Sequence, residues 1–302
     1  MRLPTTRQLQ YFIALVEAGH FGRAAEQSHV SQSAFSNAIR ELENTLGAQL
    51  VDRTNRQVTI TAIGQEIATQ ARLCIRDLED LVEIADGERN PLSGELQLGV
   101  IPTIAPFVLP NLLPKLRRSY PELKLYLTEN QTSQLFEKLA AGVLDVLLLA
   151  LPCEMRAVEV LPLYDDPLLL AYRKGSARVD PEKFRVSRLS ADSVLLLEDG
   201  HCLRDQTLAT CRLKDLQKVR SFSASSLLTL VEMVDADLGV TFLPEMAIGS
   251  SMLKSTKIET QDTSEGGNRT IALAWRKGSG RSDEFRLLGD FITAQCAPGK
   301  DN

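Results

Sequence analysis

The sequence predicts an α/β protein with three parts in chain order. Residues 1–60 carry three short helical patterns, and residues 61–90 carry one long helical pattern. Residues 91–302 alternate between strand and helix patterns, which favours a sheet of parallel strands covered by helices. We therefore expect a small N-terminal domain, a long connecting helix and a larger α/β region.

The composition restricts the class of protein before any motif is considered. The chain has 302 residues, a formal net charge of −5 and five scattered cysteines. Such a set does not suit the disulfide framework of a secreted protein, and no apolar run reaches the ~18 residues of a membrane span. We therefore expect a cytoplasmic protein without membrane contact. Because phosphate contacts need cations, any DNA contact must come from locally placed arginines.

The N-terminal part predicts a helix-turn-helix. Helical apolar spacing runs through residues 6–46, with a tight turn at His29 and Val30. Ser31 has the side chain of a helix cap, and Gly47 stops the third helix. Two helices across a short turn are the helix-turn-helix arrangement. The predicted inner face of the third helix consists of Ala34, Phe35, Ala38, Ile39 and Leu42.

The exposed face of the third helix predicts a DNA-contacting surface. Short hydroxyls, amides and a guanidinium near a helix N-terminus suit phosphates and base edges. Residues 50–60 follow as two short strands around an arginine-bearing turn, which indicates a wing. The alternative is an ordinary small helical bundle with a polar surface. The candidate DNA-binding residues are Ser31, Gln32, Ser33, Ser36, Asn37, Arg40, Arg53 and Arg56.

Residues 61–90 predict a linker and dimerisation helix that ends in a hinge. Apolar residues spaced alternately four and three apart form a heptad seam. A dimerising helix beside a helix-turn-helix would set the spacing between DNA half-sites. The seam consists of Ile67, Ala71, Cys74, Leu78, Leu81 and Ala85.

Residues 91–302 predict two α/β subdomains that resemble the periplasmic-binding-protein architecture. Strands and helices alternate over residues 95–151, which gives parallel strands. Subdomain I is expected to comprise 91–163 and 269–302, and subdomain II 164–268. A ligand cleft would lie at the C-terminal ends of the strands, where helix N-termini supply donors. Further strands are predicted at 168–172, 194–197, 220–222, 240–243 and 270–275.

Two cysteines, Cys202 and Cys211, lie nine positions apart. In a helix this spacing corresponds to a rise of roughly 13.5 Å and places the side chains on opposite faces. A disulfide needs Cα atoms about 4.4–6.8 Å apart, so the pair cannot close inside a regular helix. A cysteine pair that closes only when the backbone refolds is what a redox switch requires. We interpret Cys74, Cys153 and Cys296 as structural.

Several motifs together resemble the LysR-type transcriptional regulators over the full chain. They occur in the family's order and spacing at residues 9–12, 22–25, 31–36, 39–43 and 50–53. The run Gly200-His201-Cys202-Leu203-Arg204-Asp205-Gln206, together with Cys211, resembles the peroxide-sensing branch of that family. The resemblance implies a DNA-binding transcription regulator of oxidative-stress genes that is not an enzyme.

The resemblance also implies the chemistry of the switch. Hydrogen peroxide would oxidise Cys202 to a sulfenic acid, and Cys211 would condense with it to a reversible disulfide. Plain structural alternatives exist for the residues around Cys202: helix caps for the threonines, a first-turn acid and an ordinary salt-bridge partner. The implied peroxide pocket consists of Thr103, Thr132, His201, Asp205 and Arg269.

The implied partners are promoter DNA, hydrogen peroxide as effector and a second copy of the chain in a homodimer or homotetramer. RNA polymerase and a thiol reductant such as glutaredoxin or thioredoxin complete the set, and no cofactor or metal is expected. Two other functions compete with this one. The first is a LysR-type regulator that binds a small organic effector in the cleft, and the second is a thiol peroxidase.

Overall fold

The computed structural model describes residues 3–52, 58–85, 91–153, 155–185, 188–189, 192–210, 219, 223–263 and 267–297. The chain divides into two compact units. The first comprises Met1–Arg89, Lys138–Val143 and Ser279–Arg281, and the second comprises the rest of the chain. The subdivision of residues 91–302 into two subdomains stays a prediction. No helix in the described part of the chain is long and apolar enough to cross a membrane.

The first unit contains the predicted helix-turn-helix and wing strands. Its elements are α1 (Thr6–Ala18), α2 (Phe21–Gln27), α3 (Gln32–Leu46), β1 (Val51–Asp52), β2 (Thr59–Ile60) and α4 (Ala62–Ala85). The Ser31 hydroxyl caps α3 by accepting from the backbone N–H of Ala34 at 3.3 Å, and Gly47 ends it in the left-handed conformation. The antiparallel strands β1 and β2 form the wing.

Helix α3 packs its apolar side chains against α1. Phe35, Ile39 and Leu42 are fully buried together with Phe12 and Leu15 of α1. Ala38 is half-buried, but Ala34 is exposed, so its placement on the inner face was wrong. Ala34 lies in the first turn of α3, where the neighbouring Phe35 occupies the core position and its ring lies 5.1 Å from that of Tyr11 in α1.

The predicted heptad seam of α4 divides into a buried and an exposed part. Ala71 is buried, and Ile67 and Cys74 are half-buried. Leu78 and Leu81 are exposed by 44% and 61%, which leaves apolar surface on the second half of the helix. The role of this surface in dimerisation stays a prediction.

The second unit consists of a mixed sheet with helices. Its strands are β3 (Gly94–Val100), β4 (Leu123–Glu129), β5 (Val146–Leu151), β6 (Val158–Arg173), β7 (Thr241–Pro244), β8 (Ile258–Gln261) and β9 (Asn268–Arg276). Its helices are α5 (Ala105–Ser119), α6 (Thr132–Ala140), α7 (Cys202–Thr210), α8 (Leu227–Asp235), α9 (Glu245–Ile248) and α10 (Ser282–Cys296), and the last three residues of α6 belong to the first unit.

The strand order is β4-β3-β5-β9-β6-β7, with β8 paired to β6. Strand β3 pairs in parallel with β4 and β5, as the alternation of strands and helices predicts. Strand β9 pairs antiparallel with both β5 and β6, so the sheet is mixed. Five of the six residues of β5 are buried, as expected for a strand covered on both faces. The α/β fold class is thus confirmed.

Two strand predictions need correction. Strand β6 begins at Val158 and extends ten residues before the predicted start at 168, because its first half pairs with β9 while its second half pairs with β7 and β8. Residues 194–197 form only isolated bridges, from Val194 to Val219 and Val240 and from Leu197 to Ala224. The predicted strand at 220–222 lies outside the described residues.

Replacing Gly64 by alanine is expected to destabilise the first unit. A Cβ at Gly64 would overlap the backbone carbonyl oxygen of Leu50 and approach Ile60 Cγ2 to 2.8 Å. Overpacking of this kind costs about 1–3 kcal/mol. Chemical denaturation should show a lower midpoint for Gly64→Ala. Gly249→Ala is the control, since nothing lies within 4 Å of its added Cβ. Equal midpoints for both variants would contradict the packing argument.

Candidate functional site

A buried ion pair between Arg269 and Asp166 forms the centre of the candidate site. The strands β6 and β9 place the two residues directly opposite each other in their register. Arg269 Nε donates to Asp166 Oδ2 at 2.9 Å, and Nη2 lies 2.8 Å from the same oxygen. Both side chains are almost completely buried. Strand pairing thus brings together two charges that would each be costly to bury alone.

The same guanidinium holds the segment that follows β3. Arg269 Nη1 donates to the Thr103 hydroxyl at 3.0 Å, and Nη2 donates to the Thr103 carbonyl oxygen at 3.0 Å. Nη2 also lies 3.5 Å from the sulfur of Met246, whose backbone N–H donates to Asp166 Oδ1 at 3.0 Å. Four chain segments therefore meet at one arginine.

Cys202 is the first residue of α7 and is only 7% exposed. Burial raises the pKa of its thiol, and the negative charge of Asp205 raises it further. The positive charge of Arg269, the Thr132 hydroxyl and the backbone N–H of Leu203 lower that pKa and offset part of the rise. The thiol is therefore protonated at rest, with cationic and hydrogen-bonding groups ready to stabilise the thiolate.

Two buried polar atoms, on Thr132 beside the thiol and on Gln206 in the next turn of α7, lack hydrogen-bond partners among the described residues. The Gln206 side-chain amide donates to the Ala150 carbonyl oxygen at 3.1 Å, which fixes its orientation because a carbonyl can only accept. Its Oε1 has no hydrogen-bond partner among the described residues. Thr132 Oγ1 approaches Cys202 closely enough to lower the thiol pKa, but it satisfies the geometry of a hydrogen bond to none of the described groups. The Thr132 hydroxyl therefore lies beside the sulfur as a donor that has no partner in the described part of the chain.

The structure brings most of the predicted pocket residues together. Arg269 donates a hydrogen bond to Thr103. Arg269, Thr132 and Asp205 each shift the pKa of the Cys202 thiol. Neither threonine is a helix cap: Ile104 is the N-cap of α5, and Thr132 is already the first residue of α6. The alternative of a simple cap is therefore wrong at both positions. Asp205 is exposed in the first turn of α7, where its charge opposes thiolate formation.

His201 is buried but is directed to another segment. Burial lowers the pKa of its imidazole, while the Glu198 carboxylate and a hydrogen bond to the Ser225 backbone raise it. Arg204 also turns back, since Nη1 donates to the Leu197 carbonyl oxygen at 3.0 Å. These bonds fasten the segment before α7 to its neighbours.

Several residues at this site were not predicted from the sequence. A buried arginine requires a carboxylate partner, but Asp166 lies 103 positions from Arg269 in the sequence, so the pair was not predicted. Gln206 belongs to the motif around Cys202, yet no role was given to it. Met246 gives no sequence signal.

Three predicted residues, Cys211, Arg53 and Arg56, lie outside the described residues. The described cysteines are free thiols: Cys74, Cys153, Cys202 and Cys296.

The candidate DNA surface on α3 is accessible. Ser36 is half-buried, and Arg40 Nη1 donates to Asn37 Oδ1 at 3.3 Å. A helix N-terminus with short polar side chains is suited to phosphate and base contacts. The exposed members of the predicted set are Ser31, Gln32, Ser33, Asn37 and Arg40.

Comparison with known proteins identifies both parts of the chain. Residues 6–65 match the model for bacterial regulatory helix-turn-helix proteins of the lysR family, and residues 89–297 match the LysR substrate binding domain. A hydrogen peroxide-inducible genes activator from Dickeya chrysanthemi is 39% identical, and the alignment covers 95% of this chain and 94% of that protein.

Solved structures agree with this result. A full-length cysteine-to-aspartate variant of OxyR from Pseudomonas aeruginosa is 33% identical, with a TM-score of 0.83 over 98% of this chain and 97% of that chain. A cysteine-to-serine variant of Corynebacterium glutamicum OxyR, solved with hydrogen peroxide bound, is 33% identical, with a TM-score of 0.64 over 97% and 93% of the two chains. The prediction that the protein is a transcription regulator and not an enzyme is confirmed. The chain belongs to the LysR family of bacterial helix-turn-helix regulators.

Proposed function

We propose that this regulator senses hydrogen peroxide through Cys202 and controls antioxidant genes in response. The observation that carries the proposal is a buried thiol at the start of a helix, on which Arg269 and the Thr132 hydroxyl act. The Thr132 hydroxyl and Gln206 Oε1, one turn further along the helix, have no hydrogen-bond partner among the described residues. Peroxide is small and has two O–H groups, so it can both donate to Gln206 Oε1 and accept from the Thr132 hydroxyl. The names of the relatives support the same effector.

The reaction needs a thiolate and a stabilised leaving group. The Cys202 thiolate attacks one peroxide oxygen, the O–O bond breaks, and the products are a sulfenic acid and hydroxide, which takes up a proton to become water. Thr132 would donate to the leaving oxygen, and the Arg269 charge would favour the developing anion. Thr103 acts indirectly, because its hydroxyl holds the guanidinium in position.

Resolution by Cys211 would require α7 to unwind. The helix continues from Cys202 to Thr210, and a helix of this length separates its ends by roughly 13.5 Å. A disulfide that closes so short a loop stabilises by about 2–3 kcal/mol, which is close to the cost of losing a few buried contacts. Those contacts include the bond from Gln206 to Ala150. Reduced and oxidised forms of nearly equal stability would let redox potential decide between them.

The proposed output is a change in DNA binding. The exposed polar face of α3 would contact the operator, and the apolar surface at Leu78 and Leu81 would pair two copies of the chain. Refolding of α7 would then alter the arrangement of paired regulatory regions and the spacing of the two DNA-binding domains. RNA polymerase and a thiol reductant such as glutaredoxin or thioredoxin are the further partners that we propose.

The direct test is DNA footprinting of the reduced protein before and after peroxide treatment. The wild-type footprint should change length or position, while Cys202→Ser should keep the reduced footprint because no sulfenic acid can form. Cys74→Ser is the matched control, since Cys74 is a free thiol on α4. A Cys202→Ser protein that still responds would contradict the proposal. A footprint that responds to a small organic compound but not to peroxide would favour the organic-effector alternative.

The pH dependence of Cys202 alkylation should report the charge balance at the site. Because burial raises the thiol pKa, the rate should keep rising above the pH at which an ordinary thiol, with a pKa of about 8.5, levels off. Asp166→Asn removes the carboxylate that offsets Arg269, so the pKa of Cys202 should fall and the profile should move to lower pH.

The Asp166→Asn change should also reduce stability by about 3–5 kcal/mol, the usual cost of breaking a buried ion pair. Alkylation is therefore measured below the unfolding transition of the variant. Asp165→Asn is the control, because Asp165 is exposed and bonds to the Thr270 hydroxyl. A profile that does not move in Asp166→Asn would show that Arg269 has no electrostatic effect on the thiol.

Thr132→Val should slow the oxidation of Cys202 by peroxide. The substitution keeps the shape of the side chain but removes the donor to the leaving oxygen. A hydrogen bond to a charged group contributes about 1.5–3 kcal/mol, so the second-order rate constant should fall by roughly ten- to a hundredfold. Stopped-flow measurement of sulfenic acid formation gives this constant, with the exposed neighbour Ser133→Ala as control. An unchanged rate constant in Thr132→Val would remove Thr132 from the mechanism.

A further inference from the structure

Cys153 lies at the same end of the sheet as the site around Cys202. Strand β5 ends at Leu151, which pairs with Thr270 of β9. Cys153 is two positions beyond Leu151, and Arg269 is one position before Thr270, so both lie just past the last pair of these strands. The sheet therefore brings Cys153 to the edge at which Arg269 meets Thr103.

Helix α7 is fastened to this same edge. The Gln206 amide donates to the carbonyl oxygen of Ala150 at 3.1 Å, three positions before Cys153. Gln206 is one helical turn after Cys202, so the turn that carries the reactive thiol packs against the end of β5. The fold thus brings the chain segments of the two cysteines to the same edge of the sheet, although 49 positions separate Cys153 and Cys202 in the sequence.

The electrostatics support this proximity. Burial raises the pKa of the Cys153 thiol to about 12, and the negative charge of the Cys202 thiolate adds to the rise. A Cys202 thiolate therefore favours the protonated form of Cys153. Once Cys202 becomes an uncharged sulfenic acid, that charge is gone and the pKa of Cys153 falls.

We infer that Cys153 is a second resolving thiol, which condenses with the oxidised Cys202 to form a disulfide. This inference rests on the proposed peroxide chemistry of Cys202. The sulfur of Cys153 attacks the sulfur of the Cys202 sulfenic acid, the S–O bond breaks, and the hydroxyl leaves as water with the Cys153 proton. Peroxide is the oxidant, and both cysteines are free thiols in the structure.

The two resolving routes differ in what they require of the backbone. A bond to Cys211 needs α7 to unwind, whereas Cys153 approaches the start of α7 from β5. We therefore expect the bond between Cys153 and Cys202 to form with α7 still folded. It protects Cys202 from further oxidation without producing the refolded state, and it competes with Cys211 for the same sulfenic acid.

Peptide mapping of the full-length protein under non-reducing conditions tests the inference. Cys211→Ser is treated with a small excess of hydrogen peroxide and, separately, with diamide, which joins neighbouring thiols without peroxide. We expect a peptide that links Cys153 to Cys202 with the loss of two hydrogens. The link should be absent from Cys153→Ser/Cys211→Ser, in which Cys202 should proceed to sulfinic acid. Cys296→Ser is the control, because Cys296 is another half-buried thiol of raised pKa in the same unit.

The outcomes separate the inference from the proposed function. If peroxide oxidises Cys202 to sulfinic acid in Cys211→Ser while Cys153 stays free to alkylation, Cys153 is not a resolving thiol and the peroxide proposal stands. If peroxide leaves Cys202 unmodified, the proposed function fails. The diamide sample then decides whether Cys153 and Cys202 lie close enough to bond. A peptide that links them supports this proximity, and the absence of such a peptide contradicts the inference. With Cys211 present, Cys153→Ser should increase the fraction of Cys202 bonded to Cys211.

Discussion

The buried pair of Arg269 and Asp166 is the interaction on which the rest of the site depends. A guanidinium without a partner in this interior would cost several kcal/mol, and the register of β6 and β9 supplies the partner. Once neutralised, Arg269 has donors left for Thr103 and lies close enough to Cys202 to act on its thiol. The position of the loop after β3 and the charge environment of Cys202 therefore have a common cause.

Two opposing effects determine the state of Cys202. Burial favours the neutral thiol, and Arg269, Thr132 and the N–H of Leu203 favour the thiolate. Burial is the largest of these effects, so the neutral thiol, which is a poor nucleophile, is favoured in the resting state. A small molecule that enters and bonds to the unpaired polar atoms would meet a thiolate stabilised only inside this pocket. In the proposed function, selectivity for peroxide would follow from size and hydrogen bonding more than from intrinsic thiol acidity.

The parts of the fold that were predictable are those with local causes. The cap at Ser31, the stop at Gly47 and the apolar run of β5 each have a signal within a few residues, and each appears in the structure. The first half of β6 was missed because its residues are mostly half-buried and polar residues interrupt the strand pattern. The pairing of β6 with β9 joins residues that are far apart in the sequence, and local periodicity cannot predict it.

The candidate site shows the same division. The motif around Cys202 gave the thiol, and the resemblance to a known family gave Thr103, Thr132 and Arg269. Asp166 and the neighbouring Cys153 became visible only when the sheet brought distant segments together. Cys153 was interpreted as structural because an isolated cysteine in a sequence carries no information about which thiol it will meet. Its proposed role as a resolving thiol depends on its proximity to Cys202 in the fold.

If Cys202 is the peroxide sensor of this chain, it should be the first of the thiols that peroxide oxidises. Site-resolved mass spectrometry of the reduced wild-type protein, after treatment with less peroxide than protein, measures this order. Oxidation is expected first at Cys202, as sulfenic acid or in a disulfide, while Cys74 and Cys296 remain unmodified. Equal oxidation of all the cysteines, or earlier oxidation of Cys74 or Cys296, would contradict it.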